Sequence, residues 1–141
     1  MVTHVDALIK KEDKFLAVEI IDHPGSGLHT GMLHLPGGRP EKGESLLETV
    51  KREVLEETGY ELNLINDDPI FDRTVDFAGD DHRFVVFDGE IAGGKERMQE
   101  GEIVAIRWVT GEEFLQSLKD YMLPETIEKT AKELFIQEGL V

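Results

Sequence analysis

Cysteine is absent from the 141 residues. Its absence excludes disulfides, thiolate nucleophiles and every cysteine-ligated zinc or iron–sulfur site. The five histidines, His4, His23, His29, His34 and His82, are scattered, and none makes an HExxH pair. Positive charge is scarce: 15 Lys and Arg stand against 30 Asp and Glu, for a formal net charge of -15. Such a surface repels polyphosphate chains and argues against a nucleic-acid polymer as partner. A small phosphate ester would need a divalent cation or local arginines to offset the same field. No window reaches eighteen apolar residues, so no membrane span is expected. Asp6 and two lysines by position 11 break up the N-terminus, which therefore lacks the apolar stretch of a signal peptide. A soluble, cytoplasmic protein is the expectation. Linkers, low-complexity tracts and internal repeats are also missing, so residues 1–141 read as one domain with enough apolar residues, 40%, to bury a core.

The patterned segments give an element order. Val2 to Lys10 and Phe15 to Ile21 are β-branched-rich runs separated by Lys11-Glu12-Asp13-Lys14, which predicts a hairpin. Residues 23–31, with a proline and three glycines, predict a loop. Met32 to Leu35 is a short apolar run that Pro36-Gly37-Gly38 must stop or bend. Ser45 and Glu48 form an S-x-x-E capping box, and Leu46, Leu47, Val50 and Val54 recur at helical spacing until Gly59, so a helix is predicted over 45–58. Strands are predicted at Tyr60 to Ile65, Ile70 to Phe77, His82 to Ile91 and Ile103 to Val109. Thr110 and Glu113 repeat the capping box before Phe114, Leu115 and Leu118, and Pro124 opens a last helix carrying Ile127, Ala131, Leu134 and Phe135. The resulting order, β-β-β-α-β-β-β-β-α-α, predicts a mixed sheet with helices on its faces, an α/β fold of the α+β type.

On the predicted central helix, Glu53, Glu56 and Glu57 lie at i, i+3 and i+4, which puts three carboxylates on one face. Like charges at these spacings destabilise a helix by roughly 0.2 to 0.5 kcal/mol per pair. In a chain with nineteen glutamates an acidic, solvated face is a sufficient explanation for the trio taken alone. The alternative is a hard divalent cation shared between carboxylates and substrate phosphates. The surrounding spacing favours the second reading. Gly38, Glu44, Arg52-Glu53, Glu56-Glu57 and Gly59 make G-x5-E-x7-R-E-V-x-E-E-x-G, whose fixed positions coincide by chance on the order of once in ten million starts at this chain's composition.

This segment, Gly38 to Tyr60, resembles the Nudix box, G-x5-E-x7-R-E-U-x-E-E-x-G-U, where U is a bulky aliphatic residue. Tyr60 departs from the pattern, although its ring can fill an apolar slot. Leu35-Pro36-Gly37 before the box and Arg107-Trp108-Val109 after it also resemble the family. The resemblance implies a mixed sheet between helices, with a loop-helix-loop that binds Mg²⁺ or Mn²⁺ and hydrolyses a nucleoside diphosphate linked to another moiety X. By position, Glu53, Glu56 and Glu57 are the implied metal ligands, with the Gly38 carbonyl a further one. Arg52 is implied to be structural, reaching Glu48, Glu56 or Glu44 and holding the carboxylates in register. A carboxylate must take the proton of the attacking water: Glu57 comes first, with Glu100 and Glu102 in the MQEGEI loop as the alternative base.

Around the box, Arg39 and Arg83 are the candidates for holding substrate, although for each of Arg39, Arg73, Arg83 and Arg97 taken singly a surface salt bridge is the favoured reading. His23, His29 and His34 flank the box and could touch a base or ribose; surface polar residues are the competing explanation. Trp108 and the phenylalanines at 71, 77, 84 and 87 fit core positions better than a stacking platform. Two substrate signatures are missing: no SQPWPFPxS array follows the box, and Asp76 stands sixteen residues past Tyr60 where dinucleoside polyphosphate hydrolysis is associated with tyrosine. A small nucleotide is left as partner: a nucleoside triphosphate, favoured by the compact length, or ADP-ribose or a nucleotide sugar. A non-catalytic nucleotide sensor is the third reading, disfavoured by the intact acidic set. Monomer and homodimer stay equally open.

Overall fold

The computed structural model describes residues 1–21, 30–77 and 79–141, the side chain of Phe77 excepted. The loop predicted at 23–31, with His23 and His29, lies outside the described residues apart from a turn at Thr30 and Gly31. The chain runs β1 (Val2–Lys11), β2 (Lys14–Ile20), β3 (Leu33–His34), β4 (Gly37–Gly38), α1 (Leu46–Thr58), β5 (Tyr60–Leu64), β6 (Phe71–Phe77), β7 (Asp80–Gly94), β8 (Ile103–Val109), α2 (Gly111–Asp120) and α3 (Glu125–Gln137).

The predicted hairpin forms, but β1 and β2 pair only near the turn, Lys10 with Phe15 and Lys11 with Lys14. Beyond it they part. β2 is flanked by β3 and β8, both antiparallel. β1 pairs parallel with β7, from Val2 opposite His82 to Ile9 opposite Gly89, and antiparallel with β4. The 15-residue β7 carries β6 and then β5 along its other edge.

One element corrects the sequence reading. Pro36-Gly37-Gly38 does bend the chain, yet it does not end the pairing, because Gly37 and Gly38 form β4 opposite Asp6 and Val5. The Pro36 carbonyl accepts from the Ala7 N–H at 2.9 Å. A Cβ on Gly37 would collide with the Val5 carbonyl and the Asp6 carboxyl, so the approach requires glycine. Strand propensity cannot register a contact that depends on having no side chain.

Both faces of the sheet are covered, which explains why Val5 to Ile9 are buried without alternation. On one face Val5, Ala7, Leu16, Val85 and Phe87 pack against Val50 and Val54 of α1. On the other, Leu8, Phe15, Phe71 and Val86 meet Phe114 and Leu118 of α2 and Leu134 and Phe135 of α3. Phe15, Phe114 and Phe135 form an aromatic knot with ring centroids 4.9 to 5.7 Å apart. Each such side chain contributes roughly 1.5 to 3 kcal/mol by leaving water. The mixed sheet between helices is the architecture the sequence predicts. Among the described residues no helix is long and apolar enough to cross a membrane.

Candidate active site

The helix that carries the carboxylates is fixed at both ends. At its start the Ser45 hydroxyl accepts from the Glu48 N–H and the Glu48 carboxylate accepts from the Ser45 N–H, each at 3.1 Å. At its end Gly59 takes φ 78°, and its N–H donates to the Leu55 carbonyl. A Cβ there would also strike the Lys95 carbonyl, since residues 95–99 run beside the helix terminus, Arg97 N–H donating to the Thr58 carbonyl at 2.8 Å. Tyr60 fills the apolar slot expected of it: its ring packs on the α1-side core and its hydroxyl donates to Glu96 at 3.0 Å.

Arg52 organises the exposed side of the box. Its Nε and Nη2 grip the two oxygens of Glu44 at 2.7 and 2.9 Å, a bidentate fork. Nη1 donates to Glu53 at 2.7 Å and to Glu56 at 3.1 Å, and Nη2 reaches the Arg39 carbonyl at 3.2 Å. Thr49 and the Glu41 N–H complete the shell of Glu44. The Arg52 bonds, foremost, hold the Glu44 carboxyl down to about 2, and the pairing raises Arg52 itself.

On the inner side Glu57 accepts from the Gly37 N–H at 2.8 Å. A Cβ on Gly38 would lie 2.5 to 2.8 Å from the Glu53 carboxylate, so Gly38 and Glu53 are in direct apposition. Asp6 stands behind Gly37, 7% exposed, with Oδ1 buried and without a hydrogen-bond partner among the described residues. Burial pushes the Glu57 carboxyl up to about 9, with the charges of Glu53, Asp6 and Glu56 adding and the Gly37 bond opposing. Burial also pushes Asp6 up to about 7 and raises Glu53. Carboxylates this reluctant to ionise need positive charge, and of the three Arg52 touches Glu53.

The set fits a hard divalent cation: Glu53, Glu56 and Glu57 offer carboxylate oxygens beside the Gly38 backbone. Among the described residues the three do not converge on a preformed metal cage. Arg52 holds Glu53 and Glu56, and Gly37 holds Glu57, so a cation would compete with those partners.

Beside this cluster lies a cavity of about 220 Å³ between the sheet and the α2–α3 layer. Phe71, Val86, Leu118, Ile127 and Phe135 supply apolar wall, and Asp6, His4, His34 and His82 supply polar wall. The His4 and Phe84 rings stack with centroids 4.7 Å apart and planes 11° from parallel, and His4 Nε2 lies 2.9 Å from His82 Nδ1. Burial, helped by the charges of His34, Arg39 and His82, holds His4 down to about 4, so it is neutral at physiological pH.

The sequence-predicted residues divide accordingly. Glu53, Glu56, Glu57, Arg52 and Gly38 come together. Arg39 adjoins them through its backbone, and its guanidinium makes no ion pair among the described residues. Arg83 is not brought in: its Nε and Nη2 engage Asp72, at 3.0 and 2.7 Å, and strand alternation turns it away from the Phe84 and Val86 side that lines the cavity. Arg73 is likewise a surface pair, with Glu133 at 3.7 Å. Glu100 and Glu102 are exposed in the loop after the strip bound to the end of α1. Phe71 and Phe87 are core, as expected, and Trp108 packs on the α1-side core beneath Lys11. Phe84 departs from expectation, because its stack with His4 places it in the cavity wall. Asp6 and His4 were missed; an aspartate inside an otherwise buried strand was the available signal.

The comparisons with known proteins agree with this geometry. The family model described as NUDIX domain matches residues 2–132. A protein of Bacillus subtilis (strain 168), whose name proposes 8-oxo-dGTP diphosphatase activity, is 38% identical over 76 residues, 54% of this chain and 48% of the relative. The match therefore spans about half the length of that curated relative. The MutT protein of Methanosarcina mazei Go1 superposes with a TM-score of 0.69 at 28% identity, covering 98% of this chain and 94% of the other. A NUDIX hydrolase of Nitrosomonas europaea gives 0.68 at 26% identity, covering 86% and 88%. With the box assembled on α1 and the domain matched over nearly its whole length, the chain belongs to the Nudix hydrolase family.

Proposed function

We propose that this protein hydrolyses a pyrophosphate bond in a nucleoside diphosphate linked to another moiety, most specifically in a nucleoside triphosphate, with Mg²⁺ or Mn²⁺ as cofactor. The observation that carries the reading is the assembly of Gly38, Glu53 and Glu57 by the Arg52 and Gly37 hydrogen bonds, with Asp6 linking the cluster to a largely apolar cavity. The name of the Bacillus subtilis relative supports the triphosphate over ADP-ribose or a nucleotide sugar.

Glu53, Glu56, Glu57 and the Gly38 carbonyl would hold the cation. When bound, it neutralises phosphate charge and acidifies water. The remaining work belongs to the chain. Arg52, anchored by its fork to Glu44, keeps Glu53 and Glu56 in register. The Gly37 N–H orients Glu57, which takes the proton of the attacking water once nearby positive charge keeps it ionised. Glu100 and Glu102 are the alternative base, reached only if their exposed loop folds inward. Arg39 supplies positive charge at the edge of the cluster.

Phosphorus NMR of the products from nucleoside triphosphates, ADP-ribose, nucleotide sugars and dinucleoside polyphosphates, with Mg²⁺, Mn²⁺ or chelator, tests the reading. Cation-dependent cleavage of the triphosphates at a pyrophosphate bond is expected. Preference for another class would replace the substrate, and nucleotide binding without turnover would make the domain a sensor.

A further inference from the structure

The cavity offers its polar groups unequally. His4 and His82 face each other at 2.9 Å, and the His34 Nδ1 donates to the neighbouring Leu35 carbonyl at 3.0 Å. Among the described residues Asp6 Oδ1 accepts from nothing, although its residue is 93% buried and a buried carboxyl oxygen without a donor is costly. Nothing in the β-ladder requires this side chain; its backbone already pairs with Gly37 and Val86. Its place in the site is specific. It rests on Gly37, whose N–H holds Glu57, and Gly37 adjoins Gly38, which faces Glu53. Asp6 is also among the residues that line the cavity. Asp6 therefore stands between the carboxylate cluster and the cavity.

A nucleotide presents its groups in a fixed order: phosphates, then sugar, then base. With phosphates at the cluster and base in the apolar part of the cavity, the group at the junction meets the sugar. The 3′-hydroxyl sits beside the carbon that carries the 5′ arm, and it is the donor nearest the phosphates in ribo- and 2′-deoxynucleotides alike. We infer that Asp6 is a specificity-determining residue that accepts a hydrogen bond from the sugar 3′-hydroxyl of the bound nucleotide. This inference rests on the nucleotide-hydrolase reading and adds to it the group by which the sugar is recognised. A site built to bond a hydroxyl rejects the analogue lacking it, because the buried acceptor is left unpaired.

The test is steady-state kinetics of the wild-type protein, with Mg²⁺, on the ribo-, 2′-deoxy- and 3′-deoxynucleoside triphosphates of one base, followed by Asp6→Ala and Asp6→Asn. The 3′-deoxy substrate should raise KM at least about tenfold while leaving kcat nearly unchanged, and the 2′-deoxy substrate should behave like the ribonucleotide. In Asp6→Ala the KM values for the ribo- and 3′-deoxy substrates should converge, and Asp6→Asn, which keeps one acceptor oxygen, should restore part of the discrimination. Equal KM values in the wild type would overturn the inference without needing any variant to fold. So would an Asp6→Ala protein that lowers kcat on all three substrates and raises its Mg²⁺ requirement, since Asp6 would then serve the cation. If no nucleotide is turned over, calorimetry on the same three ligands separates the two ideas: weaker binding of the 3′-deoxy compound keeps the sugar contact and removes hydrolysis, whereas equal or absent binding overturns the sugar contact too.

Discussion

At the first turn of α1, Ser45, Glu48, Thr49, Glu44 and Arg52 satisfy one another, with hydrogen bonds of 2.7 to 3.1 Å. Farther along the same helix, Glu53 and Glu57 face Asp6 and the paired glycines, and there burial raises all three carboxyls while Asp6 Oδ1 goes without a donor. The two regions use the same residue types, chiefly glutamate, within one helix of 13 residues. What separates them is satisfaction. A network that closes on itself specifies structure, while buried acids left short of positive charge mark the place where something else must bind. Arg52 belongs to both, gripping Glu44 with one edge and Glu53 and Glu56 with the other.

The largest expected effect lies at the unsatisfied end. Glu53→Gln and Glu56→Gln each remove a charge and keep the shape, so each should lower cation-dependent hydrolysis by at least about a hundredfold with an unchanged circular dichroism spectrum. Full activity in both variants would remove this helix from the mechanism and reduce the contrast to an accident of composition.

The contrast was legible in the sequence only in part. Glu53, Glu56 and Glu57 could be found because the spacing of a helix and the spacing of the motif both live within the short stretch Gly38 to Tyr60, and the capping boxes at Ser45 and Thr110 are as local. Asp6 could not. Its meaning depends on β1 lying against Gly37 on one edge and against β7, some eighty residues later, on the other. Arg83 shows the converse: a guanidinium is a fair phosphate candidate on paper until strand register places Asp72 beside it. Gly37 and Gly38 read as a stop or a bend and not as a strand, because propensity describes what a side chain does, and here the absence of one makes the strand.

Next in size is a dependence on pH that should appear only without the cation. Glu57, at about 9 in the folded chain against an ordinary value near 4.5, keeps a proton that the unfolded chain releases. Its contribution to stability is therefore whole below about pH 4.5 and is lost as pH rises toward 9. Asp6 behaves likewise up to about 7. His4, held down to about 4, acts in the opposite direction, and its contribution is lost as pH falls from 6.5 to 4. Between pH 7 and 9 the decline is thus carried mainly by Glu57, at no more than about 1.4 kcal/mol per pH unit. Melting curves in chelator should shift down across that window in the wild type and stay flatter in Glu57→Gln. Parallel curves would mean that Glu57 is ionised without a cation.

Arg52→Lys probes the residue shared by the two regions. A single ammonium cannot hold Glu44 by two bonds and still reach Glu53 and Glu56. We expect kcat/KM to fall about tenfold and half-maximal activity to need more Mg²⁺, as when a partner of a metal ligand is lost. An unchanged Mg²⁺ titration would confine Arg52 to the satisfied end.

The smallest effect draws the boundary between the two regions most finely. Ser45→Ala and Thr110→Ala delete equivalent hydroxyls from two capping boxes of the same design, one on α1 and one on α2. Each should cost about 1 kcal/mol, read as a drop of a few degrees in the melting temperature. If the first turn of α1 is purely structural, the two variants should resemble each other in turnover as well, both close to wild type. Ser45 lies next to Glu44, however, and its carbonyl accepts from Thr49, whose hydroxyl also donates to Glu44. A Ser45→Ala protein that loses activity while Thr110→Ala does not would show that loosening the cap displaces Glu44, then Arg52, then Glu53. The satisfied end of the helix would in that case be the support on which the unsatisfied end is aimed.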